Sequence, residues 1–144
     1  MTKEYCINFK TLKSLRKHAI KAQKKNYMEV CGLIIVDKEN FLNLEYLENL
    51  CDKPGRFEFS IDEIESNRKK AQTIGNRICG TFHSHPLSEA IPGKGDLKDA
   101  RINSLMMIHD VCDNDTKLWR VCKNSKGKYA KELSLRIRGQ IRGQ

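Results

Sequence analysis

The sequence predicts a single domain of the α/β or α+β class, in which a mixed β-sheet is flanked by helices. Amphipathic, helix-like segments occur both early and in the middle of the chain, and short apolar segments separate them. The 144 residues suit one domain, and no change in composition marks a second. We expect residues 1–137 to form this domain and residues 138–144, at the repeated IRGQ, to form a disordered basic tail.

The first half of the chain predicts two helices and three strands. Phe9, Leu12 and Leu15 recur at helical spacing among lysines. VCGLIIV is short and apolar, which indicates a buried strand. Ser60, with Glu63 three residues later, matches the capping box that begins a helix. The predicted elements are helices over 9–25 and 61–74 and strands over 30–36, 41–48 and 57–59, with a loop at Pro54-Gly55.

The second half predicts further strands and one short helix. Apolar residues in RICGTFH and MMIHDVC indicate strands, and a polar turn separates the two segments that end the domain. The predicted elements are a strand over 77–83, a helix over 96–104, a strand over 106–112, and a hairpin of 117–123 with 129–137.

Composition argues for a cytoplasmic protein that does not enter the membrane. The N-terminus lacks an apolar signal segment, and no apolar run approaches the ~20 residues of a membrane span. A disulfide framework is not expected in that compartment. Four of the six cysteines lie in apolar runs and are predicted to be buried thiols: Cys31, Cys79, Cys112 and Cys122.

Charge is distributed unevenly. Residues 1–28 contain eight Lys/Arg and one acidic residue, and residues 117–144 contain nine and one, whereas the middle of the chain is acidic. The basic ends fit either contact with an acidic partner or simply solvated surfaces. They lack interleaved aromatic residues and any recognisable nucleic-acid-binding motif, so nucleic acid is not an expected partner.

One short motif contains candidate ligands for a metal ion. Residues two apart in a strand point to the same side, so His83 and His85 are expected to project two imidazoles from one face at a strand end. Two imidazoles suit Zn²⁺, although a lone H-x-H is common by chance. Asp96, after a loop rich in Pro and Gly, is a candidate third ligand, and three ligands with one open position are typical of catalytic zinc.

A zinc hydrolase also needs a proton acceptor. Glu29 immediately precedes the predicted buried strand over 30–36, from where its carboxylate can reach the end of a neighbouring strand. Spacing alone does not distinguish this role from that of a solvated charge. Other zinc families fit poorly, because the chain lacks H-E-x-x-H and H-x-H-x-D-H and is too short for a (β/α)₈ barrel.

Together, MEVCGLIIV, GTFHSHP and the downstream aspartate resemble the JAMM (MPN-plus) metalloprotease family. The resemblance extends over roughly residues 5–135, and it implies the MPN-like fold, which is similar to that of cytidine deaminases. Glu29 matches the family's glutamate, while His83, His85 and Asp96 match its zinc ligands. One position departs, because the family's Ser-x-x-Asp has Gly93 at the serine.

The family's serine resembles a donor that stabilises the oxyanion, and losing one such donor costs about 10²–10³ in rate. Three alternatives remain open: a slow enzyme, replacement of the hydroxyl by Ser88 or by a backbone N–H of the glycine-rich loop, or a site that binds metal without catalysis.

The resemblance implies that Glu29 accepts a proton from water and returns it to the leaving amine. It implies cleavage of an amide after the C-terminal glycine of a ubiquitin-like or sulfur-carrier-like protein, in an isopeptide or peptide bond. A catalytically weak or inactive module that binds a ubiquitin-like or scaffold partner is the alternative.

Overall fold

The computed structural model describes residues 4–53 and 57–139. Within them, six strands form a mixed sheet in the order β3-β2-β4-β5-β6-β7, and β1 and β8 form a separate two-stranded sheet. In the larger sheet only the β4–β5 pair is parallel. The strands are β1 (Tyr5–Asn8), β2 (Cys31–Val36), β3 (Leu42–Leu47), β4 (Arg77–His85), β5 (Leu105–Asp110), β6 (Asp115–Asn124), β7 (Gly127–Leu133) and β8 (Leu135–Arg138). The helices are α1 (Phe9–Lys24), α2 (Ile61–Thr73) and α3 (Lys94–Asp99).

The main core lies between α1 and one face of the larger sheet. The apolar stripe of α1 buries Leu12 and Leu15, and the amphipathic pattern predicts this arrangement. Alternate residues of β4 and β5, including Phe82 and Met107, face the same cluster. A smaller cluster on the opposite face contains Ile108 and is covered in part by Leu97 of α3. Both faces of β4 and β5 are therefore packed.

Two glycines permit the strands to pack closely. A Cβ at Gly32 would collide with the Glu45 carbonyl and the Phe82 ring, and a Cβ at Gly80 would collide with the backbone of Leu105. Glycine at position 32 leaves room for the Phe82 ring in the core, and glycine at position 80 lets β4 approach the backbone of β5 closely.

The pairing of β1 with β8 was not predicted. These strands are parallel, with Tyr5 opposite Leu135 and Ile7 opposite Ile137. Tyr5 and Ile7 belong to the main core, so the pairing closes one side of that cluster. Because β8 includes Arg138, regular structure continues one residue beyond the domain boundary predicted at 137.

Three predicted elements differ from the structure. Residues 57–59 are extended but form no strand, because the N–H and C=O of Glu58 bind Asn49 and Leu50 instead of a ladder partner. The helix predicted over 96–104 is α3, which starts two residues earlier and ends at Asp99. The strand predicted over 129–137 is divided at Ser134 between two sheets. The loop residues Pro54-Gly55 and the tail residues 140–144 lie outside the described residues.

Helix α2 begins as predicted, with the Ser60 hydroxyl accepting a hydrogen bond from the N–H of Glu63 at 3.4 Å. All six cysteines are free thiols. Burial is confirmed for Cys31, and Cys79 and Cys122 are half-buried, but the prediction is wrong for Cys112, which is exposed. Strand β5 ends at Asp110, whose carboxylate accepts the N–H of Cys112 and begins a turn there. Among the described residues, no helix is long and apolar enough to cross a membrane.

Candidate metal centre

The end of β4 brings the two predicted histidines together. His83 and His85 are both buried, and their Nε2 atoms lie 3.1 Å apart. They are the alternate residues of one strand, so their rings leave the same face as the H-x-H spacing predicts. The ring of Phe57 packs against that of His83, with centroids 4.8 Å apart.

Asp96 completes the group from α3. Its Oδ1 lies 3.3 Å from His83 Nε2, and its Oδ2 lies 3.3 Å from His85 Nε2. The Oδ2 atom also accepts the Gly93 N–H at 2.9 Å, so the carboxylate of the third helical residue reaches back to the residue before the helix. This local capping bond fixes the direction in which the aspartate points.

A backbone contact sets the tautomer of His85. Its Nδ1 lies 2.6 Å from the Glu89 carbonyl oxygen, which can only accept, so Nδ1 carries the hydrogen. In the neutral ring Nε2 is then a free lone pair directed at the centre. A carbonyl that orients a histidine in this way is typical of metal sites.

The arrangement fits a cation. The ligand atoms of His83, His85 and Asp96 lie within 4.8 Å of one another. They are two imidazole nitrogens and a carboxylate that converge on one space, and such nitrogens and oxygens bind a cation through their lone pairs. Two imidazoles and one carboxylate match the ligand types of catalytic zinc, with a position left for a further ligand.

Glu29 is positioned by the pairing of β2 with β4, which sets Cys31 opposite His83. Between the histidines, Ser84 faces the other side of the strand and is fully buried. Its Oγ accepts the Val30 N–H at 2.9 Å, and its own N–H donates to the Val30 carbonyl at 3.0 Å. Asn49 donates to the Glu29 carbonyl at 3.2 Å. These bonds fix Val30, which follows Glu29, to Ser84, which lies between the two histidines.

The Glu29 carboxylate is buried, and none of the described residues forms a hydrogen bond with its Oε1. Burial raises its pKa to about 7, with a smaller opposing effect of His85 and a further increase from the charge of Asp96. A buried carboxyl group that titrates near neutral pH beside other ionisable groups is typical of a general base.

The pKa values of the other groups shift in different directions, because those of His83 and Asp96 favour the metal-binding forms whereas that of His85 favours its protonated form. Burial lowers the pKa of His83 and favours its neutral form. Burial opposes the charge of Asp96, but the two histidines and the Gly93 N–H hold its pKa well below the usual range. For His85, burial is outweighed by Asp96 and the Glu89 carbonyl, and the pKa is raised. Burial and the charge of Glu29 raise the pKa of Cys31 to about 12, so it remains a neutral thiol.

The two loop candidates lie in different surroundings. Gly93 is at the centre, but its N–H is already bonded to Asp96, and its backbone is extended, with φ −81°. Ser88 is exposed and lines an open cleft of about 560 Å³ with Cys112 and Asp113. Because the Gly93 N–H is bonded to Asp96, it is not free to stabilise an oxyanion in this arrangement. The contacts of Ser84 and Glu89 were not predicted, because they depend on pairing between distant segments.

Comparison with known proteins identifies a family match over most of the chain. The sequence profile described as prokaryotic homologues of the JAB domain matches residues 11–122. Among curated proteins, no sequence matches the chain.

Solved structures share the fold at low sequence identity. The solution structure of DSY2949 from Desulfitobacterium hafniense is 20% identical with a TM-score of 0.77, and the match covers 96% of this chain and 95% of that one. The crystal structure of AF2198, a JAB1/MPN domain protein from Archaeoglobus fulgidus, is 21% identical with a TM-score of 0.60, over 94% and 99% of the chains. A structure described as a metalloprotease-like zinc site in the proteasome and signalosome is 16% identical with a TM-score of 0.50, over 94% and 98%.

Because the Glu29 carboxyl group is buried, we expect the difference in folding stability between Glu29→Gln and wild type to depend on pH. The folded metal-free protein holds the Glu29 proton up to a pH of about 7, whereas a solvated glutamate in the unfolded chain loses it near pH 4.5. Wild-type stability therefore falls as pH rises from 4.5 to 7, and this contribution is absent in the variant. We expect metal-free Glu29→Gln to be more stable than wild type by about 3 kcal/mol at pH 8 and to lose this advantage by pH 4.5. Urea unfolding of both proteins across this range measures the difference, and a constant difference would contradict the prediction.

We expect removal of the Ser84 hydroxyl to lower the folding stability. Ser84→Ala leaves the partly buried Val30 N–H without its acceptor, which costs about 1 kcal/mol or more. Ser104→Ala is the matched control, because its hydroxyl donates to the Arg101 carbonyl at the surface, and we expect a change below about 0.5 kcal/mol. Equal unfolding midpoints for the two variants would show that the Ser84–Val30 bond contributes little.

Proposed function

The chain belongs to the family of prokaryotic homologues of the JAB domain, and on that premise we propose that it is a zinc-dependent peptidase or isopeptidase. Its substrate is the amide after the C-terminal glycine of a ubiquitin-like or sulfur-carrier-like protein. The family includes the JAMM metallopeptidases. One observation carries the proposal: a buried glutamate, whose Oε1 has no hydrogen-bond partner among the described residues, adjoins a group of two histidines and an aspartate that suits zinc.

Each residue has a distinct part in the proposed reaction. His83, His85 and Asp96 hold Zn²⁺, and the Glu89 carbonyl orients His85. The metal, when bound, supplies a Lewis acid that lowers the pKa of water and polarises the scissile carbonyl. Glu29 takes the proton from the attacking water and returns it to the leaving amine. Among the described residues Glu29 Oε1 has no hydrogen-bond partner, so this oxygen is available to accept the proton.

A second candidate is a non-catalytic module that binds a ubiquitin-like or scaffold partner. Gly93 favours it, because glycine lacks the hydroxyl of the family's serine, and Ser88 lies on an exposed loop lining a different cleft. The peptidase remains the better-supported function. A site that only held a metal would not require the Glu29 carboxylate to be buried beside it at a cost in stability.

Zinc content and turnover test the proposed peptidase separately. We expect about one Zn²⁺ per chain in protein purified without chelator, and loss of the metal in His83→Ala and Asp96→Ala. Glu29→Gln keeps the zinc ligands but lacks the base, so it retains zinc and hydrolyses a ubiquitin-like fusion about 10²–10⁴ times more slowly. Elemental analysis and hydrolysis assays measure both quantities. Retention of wild-type turnover by Glu29→Gln would remove this residue from the mechanism, and absence of turnover in zinc-loaded wild type would favour the binding module.

Restoring the family's serine tests the departure at Gly93. The backbone is extended there, and an added Cβ would lie 3.7 Å from Asp96 Oδ2, so a side chain fits without strain. We expect Gly93→Ser to raise kcat at least about tenfold, since one oxyanion donor is worth about 10²–10³. Gly93→Ala is the matched control, because it adds the Cβ without the hydroxyl. If the two variants have the same kcat, the missing hydroxyl does not limit the enzyme.

A further inference from the structure

The single tryptophan of the chain, Trp119, lies on the same face of the larger sheet as the candidate metal centre. It belongs to β6 and is opposite Met106 of β5, and two residues further along β5 Ile108 is paired with His83 of β4. Residues two apart in a strand share a face, so Trp119, Ile108 and His83 point to the same side of the sheet. Trp119 also packs against the smaller core cluster, which contains Met106 and Ile108.

The indole of Trp119 reaches the loop that follows His85. Its Nε1–H donates a hydrogen bond to the Ala90 carbonyl at 2.9 Å. Neighbouring strands are about 4.8 Å apart, so a donor on β6 must extend across β5 to reach a segment that follows β4. Tryptophan combines the necessary length with an uncharged N–H that can only donate. The residue type therefore suits the hydrogen bond as well as the packing.

Few polar contacts hold this loop in place. Within the described chain, residues 87–92 form two hydrogen bonds, one from the Glu89 carbonyl to His85 Nδ1 and one from the Ala90 carbonyl to Trp119. Ala90 is 1% exposed, whereas Glu89 before it and Ile91 after it are exposed. Among the described residues outside the loop and β4, Trp119 alone forms a hydrogen bond with this segment.

The two carbonyl groups belong to successive residues, so a bond to one constrains the other. Only the two backbone dihedrals of Ala90 separate the peptide plane that contains the Glu89 carbonyl from the plane that contains the Ala90 carbonyl. The Ala90 side chain is buried in the smaller core cluster, which fixes this residue further. With Trp119 bonded, the Glu89 carbonyl stays directed at His85, and the Nε2 atom of that ring stays directed at the centre.

Asp96 is held by other contacts. Its Oδ2 accepts the Gly93 N–H at 2.9 Å, and at the end of α3 the Ala100 carbonyl accepts a hydrogen bond from Lys128 Nζ at 2.6 Å. Neither bond involves the indole. Loss of the indole N–H should therefore disturb His85 and leave the aspartate in place.

From these contacts we propose that Trp119 is a positioning residue for the metal ligand His85, acting through the Ala90 and Glu89 carbonyls. Its part differs from that of an ordinary core residue, because the N–H as well as the apolar ring determines where the Glu89 carbonyl lies. The orientation of His85 rests on these hydrogen bonds, whereas its role as a ligand of Zn²⁺ rests on the proposed function. Partners that orient a metal-binding histidine are worth about 10–100-fold in metal affinity.

The test separates the N–H of Trp119 from its ring. Trp119→Phe removes the indole N–H and keeps an aromatic ring in the cluster. Val121→Ala is the matched control, because it removes apolar contacts from the same cluster and keeps the indole N–H. In metal-free protein with nitrogen-labelled histidine, NMR measures how fast the His85 Nδ1–H exchanges with water. We expect exchange to be about tenfold faster or more in Trp119→Phe than in wild type and to be unchanged in Val121→Ala.

Zinc affinity, measured by competition with a chelator, tests the consequence for the proposed metal centre. We expect Trp119→Phe to bind Zn²⁺ about 10–100-fold more weakly than wild type and Val121→Ala to bind it within about twofold, although both variants have lower unfolding midpoints. Equal zinc affinities or equal exchange rates in the two variants would show that Trp119 acts by packing alone and would overturn the proposal. If wild type binds no Zn²⁺ while exchange at His85 still depends on the indole N–H, the proposed function fails and the positioning of His85 stands.

Discussion

The antiparallel pairing of β2 with β4 is the interaction on which the candidate centre depends. It sets Cys31 opposite His83 and so brings the residues just before β2 to the end of β4. Side chains alternate along β4, so the two histidines face the centre and Ser84 between them faces the other side. There the Ser84 hydroxyl accepts the Val30 N–H, and the Ser84 N–H donates to the Val30 carbonyl. One short segment therefore fixes the direction of two metal ligands and the position of the proposed base.

The rest of the fold supports a candidate centre whose polar groups are costly to bury. Within the described part of the chain one oxygen of the buried Glu29 carboxylate is unpaired, and this oxygen and the two facing imidazole nitrogens do not stabilise a folded protein. Packing on both faces of β4 and β5, and the close approach permitted at Gly32 and Gly80, compensate for that cost. The stabilising contacts are apolar and lie along the middle of the strands, while the polar groups converge where the interior strand β4 ends.

Local patterns predicted most of the elements and the direction of the histidines, because helical and strand periodicity act over a few residues. Asp96 was a candidate from its position after the Pro- and Gly-rich loop, and the resemblance strengthened that prediction, since its closeness to His83 depends on where α3 begins. The errors share a different cause. The Phe57–Phe59 segment and the exposed Cys112 were misassigned because their surroundings are set by Asn49, by the turn after Asp110 and by other partners distant in sequence. Ser84 gave no signal, because its partner lies 54 residues away.

The pairing of the first strand with the last has a consequence for how the chain acquires its structure during synthesis. Tyr5 is opposite Leu135, and the separation between these partners is 130 residues. At about 5–20 residues per second, translation leaves β1 without this partner for roughly 6–26 s after it leaves the ribosome. During that interval Tyr5 and Ile7 can pack only against core residues that precede β8, such as Leu12 and Ile34. The N-terminal strand is thus made first, and it completes its sheet only when β8 has emerged.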